Sequence, residues 1–232
     1  MFDSISSVLL SPSSIRTAPR MVDQNEFMLL RNEAKRHALE YIRRTPPEDY
    51  GVHPLGFLNI PLFESHSHRI RIHIWYGSMF SASSPYKIHD HSYGSYSIVL
   101  AGQLRNLVYS ESGANIDHTH LRYSIAKATP GMTSTSLQPS SDQVGLGISA
   151  EMNLLPGSAY GLWRNVFHYA YAMSDFVATL YFHLRHPDSP GVSRVAIPIQ
   201  AEAGSPQELF PYDSLDSDDV RALERAVIRG LG

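Results

Sequence analysis

The residues best suited to chemistry in this chain are two histidines separated by one residue, His89 and His91. Their flanks are rich in Ile, Val and Tyr, which predicts a strand, a tight turn at Gly94 and a second strand that ends at Gly102. Because the side chains of a strand alternate between its faces, His89 and His91 are expected to point the same way. Two neutral imidazoles that converge from one face form half of a metal site.

Asp90, between the two histidines, is expected to face the opposite side and is not predicted to be a ligand. The alternative is that the histidines are surface residues of an edge strand. The apolar run 98–100 and the glycine that follows it favour the metal site over that alternative. Two further His-x-His pairs, at 66–68 and 118–120, stand among polar turn residues, and we expect neither to bind the main metal.

The stretch 88–102 resembles the first sequence motif of the cupin superfamily, G-x5-H-x-H-x3,4-E-x6-G, and is most similar to the cysteine dioxygenase-like branch. The acidic position of the motif falls on Ser95, and thiol dioxygenases lack this glutamate too. The chain has no cysteine, so the Cys–Tyr cross-link of some of these enzymes is impossible. The second cupin motif is matched more loosely by residues 155–168, in which the third histidine is His168. The resemblance covers about residues 52–200.

This resemblance implies an all-β core with the cupin double-stranded β-helix, or jelly roll, flanked by N- and C-terminal helices. It also implies that His89, His91 and His168 bind one metal ion. Fe(II) is the metal we expect, although Zn, Ni, Mn or Cu would fit three imidazoles as well. Without a carboxylate ligand the ion keeps its full charge, which favours an anionic substrate such as an amino acid or a thiol carboxylate.

The predicted substrate-binding residues flank these histidines. In the strand 69–76, Arg71, His73 and Trp75 share one face and three isoleucines share the other, and either face could line a barrel. Similar dioxygenase-like sequences carry an aromatic residue at the place of Trp75, which directs this face to the cavity. Tyr93 and Ser95, next to the metal motif, complete the predicted set.

The catalytic candidates are Tyr181 and His183, which share a face of a later strand. The dioxygenase family places a His and a Tyr two residues apart at about this point, and here the order is reversed. Packing of the tyrosine in a β core is the alternative.

The elements that must position these residues begin with a helix over 22–44, which Asp23 is expected to cap together with Glu26. Its apolar residues at helical spacing are Phe27, Leu30, Ala34, Ala38 and Ile42. Short strands separated by Gly and Pro follow. Among them we expect 103–111 to pair with the strand before it and 192–199 to be a final edge strand. We divide the chain into an arm and helix at 1–50, a cupin barrel at 51–200 with an insertion at about 112–153, and a tail and helix at 201–232. Residues 1–20 are either a flexible arm or a segment that packs on a partner subunit in a homodimer.

Composition excludes several classes of protein. The 232 residues carry a net charge of -3 with a pI near 6.4, which does not favour nucleic acid or an anionic membrane surface. No apolar run approaches the ~20 residues that cross a bilayer, so a cytoplasmic location is expected. The absence of cysteine excludes disulfides and thiol nucleophiles. Twelve histidines are a high number for this length and point to metal chemistry.

Three functions fit these observations. The first is a mononuclear non-haem Fe(II) oxygenase that uses O2 on a small amino-acid-like or thiol carboxylate substrate. The second is a metal-dependent isomerase, lyase or hydrolase without redox chemistry. The third is a cupin that binds a small molecule and has no catalytic activity.

Overall fold

A computed structural model of the chain describes residues 20–46, 49–50, 52–53, 55–65, 68–77, 87–111, 120–125, 137–184, 193–199 and 215–232. Within these ranges the strands form two antiparallel sheets. Sheet A contains, in spatial order, β1 (Arg20–Met21), β11 (Ser158–Leu162), β6 (Gly94–Ala101), β13 (Phe176–Leu184), β4 (His68–Tyr76), β3 (Phe57–Glu64) and β2 (Val52–His53). Sheet B contains β10 (Leu146–Leu154), β7 (Leu104–Glu111), β12 (His168–Ala172), β5 (Ile88–His89), β14 (Arg194–Pro198), β8 (His120–Ile125) and β9 (Leu137–Val144).

The chain crosses repeatedly between the two sheets. Strand β5 lies in sheet B, β6 in sheet A and β7 in sheet B, and β11 to β14 alternate in the same manner. Apolar side chains of both sheets meet between them, for example Val99 and Val177 from sheet A with Leu104 and Leu154 from sheet B. Two antiparallel sheets that share one interior and exchange strands in this way form a jelly roll, which confirms the predicted all-β fold with flanking helices.

Helix α1 (Gln24–Arg44) covers the outer face of sheet A together with the C-terminal helix α2 (Ser217–Gly230). The Asp23 side chain caps α1, and the buried residues are those at the predicted helical spacing, Phe27, Leu30, Ala34, Ala38 and Ile42. They pack with Ile70, Ile72 and Ile74 of β4. The opposite face of β4 is therefore directed to the space between the sheets. Neither of the two helices in the described ranges is long and apolar enough to cross a membrane.

The strand pairing differs from the sequence prediction in three places. The strands around the two histidines, β5 and β6, do not form a hairpin, because they lie in opposite sheets. Strand β7 pairs with β10 and β12 instead of β6. Strand β14 is not at an edge, since it lies between β5 and β8. Pairing in a jelly roll joins strands distant in sequence, so local patterns do not reveal it.

The predicted insertion at 112–153 contains strands of sheet B. Its described residues include the strands β8, β9 and most of β10, which extend sheet B at both edges. The other residues of this segment, 112–119 and 126–136, lie outside the described ranges. So do residues 1–19 of the predicted N-terminal arm at 1–20, as well as His66 and His118.

Gly102 connects β6 to β7 where the chain passes from sheet A to sheet B. Its φ of +72° is in the left-handed region, and an added Cβ would lie 2.0 Å from the Phe176 carbonyl oxygen. We expect Gly102→Ala to lower the free energy of unfolding in urea by at least about 2 kcal/mol. Gly147→Ala is the matched control, because nothing lies within 4 Å of its added Cβ. Equal stability of the two variants would contradict this account of the crossover.

Candidate metal centre

The three predicted metal ligands come together at the start of β12 and the end of β5. His168 and His89 are directly opposite each other in the β12–β5 pair, and His91 lies two residues after His89, beyond the end of the strand. The ring centroids are 4.3 Å apart for His89–His168, 4.9 Å for His89–His91 and 5.1 Å for His91–His168. One nitrogen of each ring lies within 4.8 Å of the other two. We call this group the histidine cluster.

The histidine cluster is neutral at physiological pH. Burial lowers the pKa of His89 to about 4 and holds the pKa values of His91 and His168 well below their usual range. Nδ1 of His89 is 3.1 Å from the carbonyl oxygen of Lys87, and Nδ1 of His168 is 3.4 Å from that of Val166. A ring nitrogen that faces a carbonyl carries the proton, so Nε2 keeps the lone pair that a metal requires.

Asp90 is directed away from the cluster, as strand alternation predicts. Its side chain is 0% exposed and pairs with Arg194 of β14, with 2.6 Å between Arg194 Nε and Oδ2. The Arg194 backbone N–H donates to the other carboxylate oxygen at 2.6 Å. Burial raises the pKa of Asp90, and the hydrogen bonds to Arg194 oppose this shift. The pair joins β5 to β14 next to the cluster, and Asp90 is not available as a ligand.

A cavity of about 80 Å³ opens between the sheets beside the histidine cluster. It is far smaller than the roughly 300–1,000 Å³ that sites for drug-sized ligands occupy. Five histidines line it, together with aromatic, small polar and apolar side chains and one arginine; the full set is His53, Leu55, Phe57, Asn59, Arg71, His73, Trp75, His89, His91, Tyr93, Ser97, Tyr160, His168, Ala170, Thr179 and Tyr181. A site of this size suits a ligand with few non-hydrogen atoms.

Four of the five predicted substrate-binding residues line this cavity: Arg71, His73, Trp75 and Tyr93. Ser95 does not; Ser97 takes its place. Both serines face the interior from β6, but Ser95 is opposite His183 in the sheet whereas Ser97 is opposite Tyr181. Ser95 therefore lies one row further along the sheet than Ser97. The structure does not bring Ser95 into the lining of the cavity, because alternation gives the face of a strand and not the position along it.

Arg71 is the cavity residue with a permanent charge. Its neighbour on the same face, Arg69, forms an ion pair with Glu64 at 2.6 Å. Arg71 has no such partner among the residues that the structure describes. Burial lowers the pKa values of His53, His73 and His183, and the nearby charge of Arg71 lowers them further. An unpaired guanidinium that lines a small cavity is a suitable anchor for an anionic group of a ligand.

The two predicted catalytic residues occupy different places. Tyr181 lines the cavity, and its ring centroid is 6.3 Å from that of His91. Burial raises the pKa of its hydroxyl well above the usual value, and the hydroxyl is buried without a well-formed hydrogen bond. His183 does not line the cavity, because Tyr93 stacks between it and His91. Burial lowers its pKa to about 3, so the ring is neutral, and His183 is not among the residues that line the cavity.

Sequence reasoning missed several cavity residues, notably His53, Asn59, Ser97, Tyr160 and Thr179. Alternation in β3 and β13 places Asn59 and Thr179 on the interior face, so a signal for these two was present. His53 belongs to a strand of two residues, too short to show any pattern. Ser97 and Tyr160 enter the cavity because β11 pairs with β6, which local sequence does not show.

The chemistry of the donors fits a transition metal. Three buried, neutral imidazoles suit Fe, Zn, Ni or Cu, and in the described part of the chain no carboxylate joins their cluster. Asp90, the nearest acid in sequence, is held by Arg194. His89, His91 and His168 would hold the ion on one side and leave its remaining positions facing the cavity.

No protein-family model and no curated protein matches the sequence. Solved structures with similar folds include cupin superfamily proteins. A hydroquinone 1,2-dioxygenase from Sphingomonas sp. is 11% identical over 55% of this chain and 65% of that chain, with a TM-score of 0.35. A cupin superfamily protein from Desulfitobacterium hafniense is 12% identical over 56% of this chain and 78% of its own, with a TM-score of 0.32.

A hydroquinone 1,2-dioxygenase solved with Cd2+ and 4-hydroxybenzonitrile is 13% identical over 66% of this chain and 77% of that chain, with a TM-score of 0.33. The match to the Sphingomonas enzyme spans slightly less than two thirds of that protein. The jelly roll follows from the sheet topology, and the histidine cluster from the positions of its three residues.

Proposed function

We propose that this chain is a metal-dependent cupin enzyme of the cysteine dioxygenase-like type, which oxidises a small carboxylate with O2 at a single Fe(II) ion. The observation that carries the proposal is the neutral histidine cluster that faces a small cavity with one unpaired arginine. The substrate classes that we propose are amino-acid-like and thiol carboxylates. The volume of the cavity supports a substrate of this size.

The residues of the chain have separate tasks in this proposal. His89, His91 and His168 hold the ion, and a bound Fe(II) would supply the redox chemistry between O2 and the substrate. Arg71 binds and orients the substrate carboxylate. Tyr181 donates a hydrogen bond at the reacting end of the substrate, because its high pKa keeps the hydroxyl protonated. The rings of Phe57 and Trp75, with centroids 5.0 Å apart, restrict water in the cavity.

The experiment that tests the proposal combines metal analysis with oxygen consumption. Protein purified without added metal is analysed for Fe, Zn, Ni, Mn and Cu, then loaded with Fe(II) and mixed with L-cysteine or 3-mercaptopropionate in an oxygen electrode. Uptake of O2 that depends on both Fe(II) and the carboxylate supports the oxygenase. Turnover with Zn(II) and no O2 uptake would assign the chain to the non-redox class. Binding of the carboxylates without turnover under any of these metals would indicate a binding protein.

Arg71→Leu is expected to raise KM for the carboxylate substrate by roughly 10- to 100-fold, since a charge-assisted hydrogen bond contributes about 1.5–3 kcal/mol. The metal content is expected to stay at one equivalent, because the cluster does not involve Arg71. Arg69→Leu is the matched control, since Arg69 is engaged by Glu64 and does not line the cavity. An unchanged KM in Arg71→Leu would remove Arg71 from the substrate site.

A further inference from the structure

One wall of the cavity carries polar groups that have no hydrogen-bond partner among the described residues. Asn59, His73 and Thr179 are cross-strand neighbours in β3, β4 and β13, and Trp75 follows on the same face of β4. The Asn59 Oδ1, Trp75 Nε1 and Thr179 Oγ1 atoms are buried and form no hydrogen bond with any described residue. Thr179 is only 1% exposed. Unpaired buried polar atoms are rare in folded proteins, and here three of them belong to residues that line one cavity.

His53 adds a hydrogen-bond donor to this wall. The backbone N–H of Leu55 donates to His53 Nδ1 at 3.3 Å, and the ring stacks on Phe57 with centroids 4.4 Å apart. A neutral ring that accepts at Nδ1 carries its proton on Nε2. Burial lowers the pKa of His53 to about 3, so the ring is neutral. His53 is thus the opposite tautomer to His89 and His168, whose Nδ1 atoms face carbonyl oxygens.

The polar wall is defined here as the side chains of His53, Asn59, Trp75 and Thr179. His53 and Trp75 offer N–H donors, and the Thr179 hydroxyl can donate or accept a hydrogen bond. The Asn59 amide has both a donor and an acceptor. Among the described lining residues none is acidic, and Arg71 is positive. With a divalent ion on three neutral imidazoles, the cavity would hold three positive charges and no negative charge. It therefore disfavours a ligand ammonium group and favours a second anionic or acceptor oxygen.

We propose that the polar wall binds the second polar group of the substrate and selects small carboxylates that carry a hydroxyl or a second carboxylate over those that carry an ammonium group. The proposal rests on the proposed carboxylate substrate and narrows it, because of the two substrate classes proposed above it favours the thiol carboxylates and disfavours the amino acids. The carboxylate held by Arg71 and the oxygen held by the polar wall fix the two ends of one small molecule. The wall is neutral, so it acts through hydrogen bonds and not through charge.

Tryptophan fluorescence can report the binding of a ligand at this site. It has two tryptophans, Trp75 in the polar wall and Trp163, which is 49% exposed outside the cavity. In a Trp163→Phe background the emission of the protein reports on Trp75 alone. Binding is measured by this emission and by calorimetry, on protein loaded with redox-inert Zn(II). The probes are malonate, lactate, propionate and alanine, which all have three carbons and differ in their second polar group.

Malonate and lactate are expected to bind roughly 3- to 10-fold more tightly than propionate, as one or two net hydrogen bonds predict, and alanine is expected to bind most weakly. His53→Phe keeps the ring on Phe57 and removes the N–H, so the preference for lactate and malonate over propionate should fall close to unity. His53→Gln, whose amide N–H reaches a similar place, should retain it. A second pair of variants follows the same design. Thr179→Val removes the hydroxyl and should reduce the preference, whereas Thr179→Ser keeps the hydroxyl and should retain it.

Three results would overturn the proposal: no binding of malonate or lactate, alanine binding as tightly as lactate, or an undiminished preference in both His53→Phe and Thr179→Val. Thermal unfolding of each variant shows that it is folded. Because the assay uses zinc and involves no turnover, it is independent of the oxygenase test. A protein that shows the expected preference but takes up no O2 with Fe(II) would refute the oxygenase and leave the polar wall in place.

Discussion

Replacing His168 with alanine is expected to abolish stoichiometric metal binding. The two remaining histidines, His89 and His91, are separated by one residue and would hold an ion from one side only. Removing a residue that only hydrogen-bonds to a metal ligand weakens metal affinity by roughly 10- to 100-fold. Removing one of the three ligands themselves should weaken it by more than this. The measurement is elemental analysis after dialysis, together with a competition titration against a chelator.

The control for this experiment is His120→Ala. His120 begins β8 in the same sheet and belongs to a second His-x-His pair, but it is not part of the histidine cluster. This variant is expected to retain one equivalent of metal. If His168→Ala still bound one equivalent tightly, the ligand set would be wrong. Loss of metal in His120→Ala as well would indicate damage to the fold of sheet B instead of a ligand role for His168.

Tyr181→Phe is expected to reduce kcat by roughly 10²–10⁴-fold with metal content unchanged. The ring stays in contact with His73, whose centroid is 4.6 Å away, and only the hydroxyl is removed. That hydroxyl is buried without a well-formed hydrogen bond, so its removal should leave the stability unchanged or raise it.

Tyr50→Phe is the matched control, for which we expect the opposite result: lower stability and unchanged activity. The Tyr50 hydroxyl donates to the Ile42 carbonyl oxygen at 2.5 Å, in the core between α1 and sheet A. Its removal is expected to cost about 1 kcal/mol of unfolding free energy and to leave kcat unchanged. Steady-state kinetics and urea unfolding of the two variants separate catalysis from packing. Full activity of Tyr181→Phe would assign Tyr181 to the core.

Local sequence patterns determined the helices and the faces of the strands. The helical spacing of apolar residues in α1 identified all five of its buried positions, and alternation in β4 separated Arg71 from the isoleucines that pack under the helix. These features depend on periods of 3.6 and 2 residues, which a single segment contains by itself. The pair His89 and His91 was visible for the same reason, and His168 was found through a motif.

The tertiary structure decided which of these segments lie next to one another and in which register. His168 is opposite His89 because β12 pairs with β5, and the residues between them fold into strands of both sheets. Ser97 instead of Ser95 lines the cavity because the register of β6 against β13 places it beside Tyr181. The polar wall likewise arises from three strands in one register. Pairing and register are set by burial summed over the whole fold, so no single segment contains them.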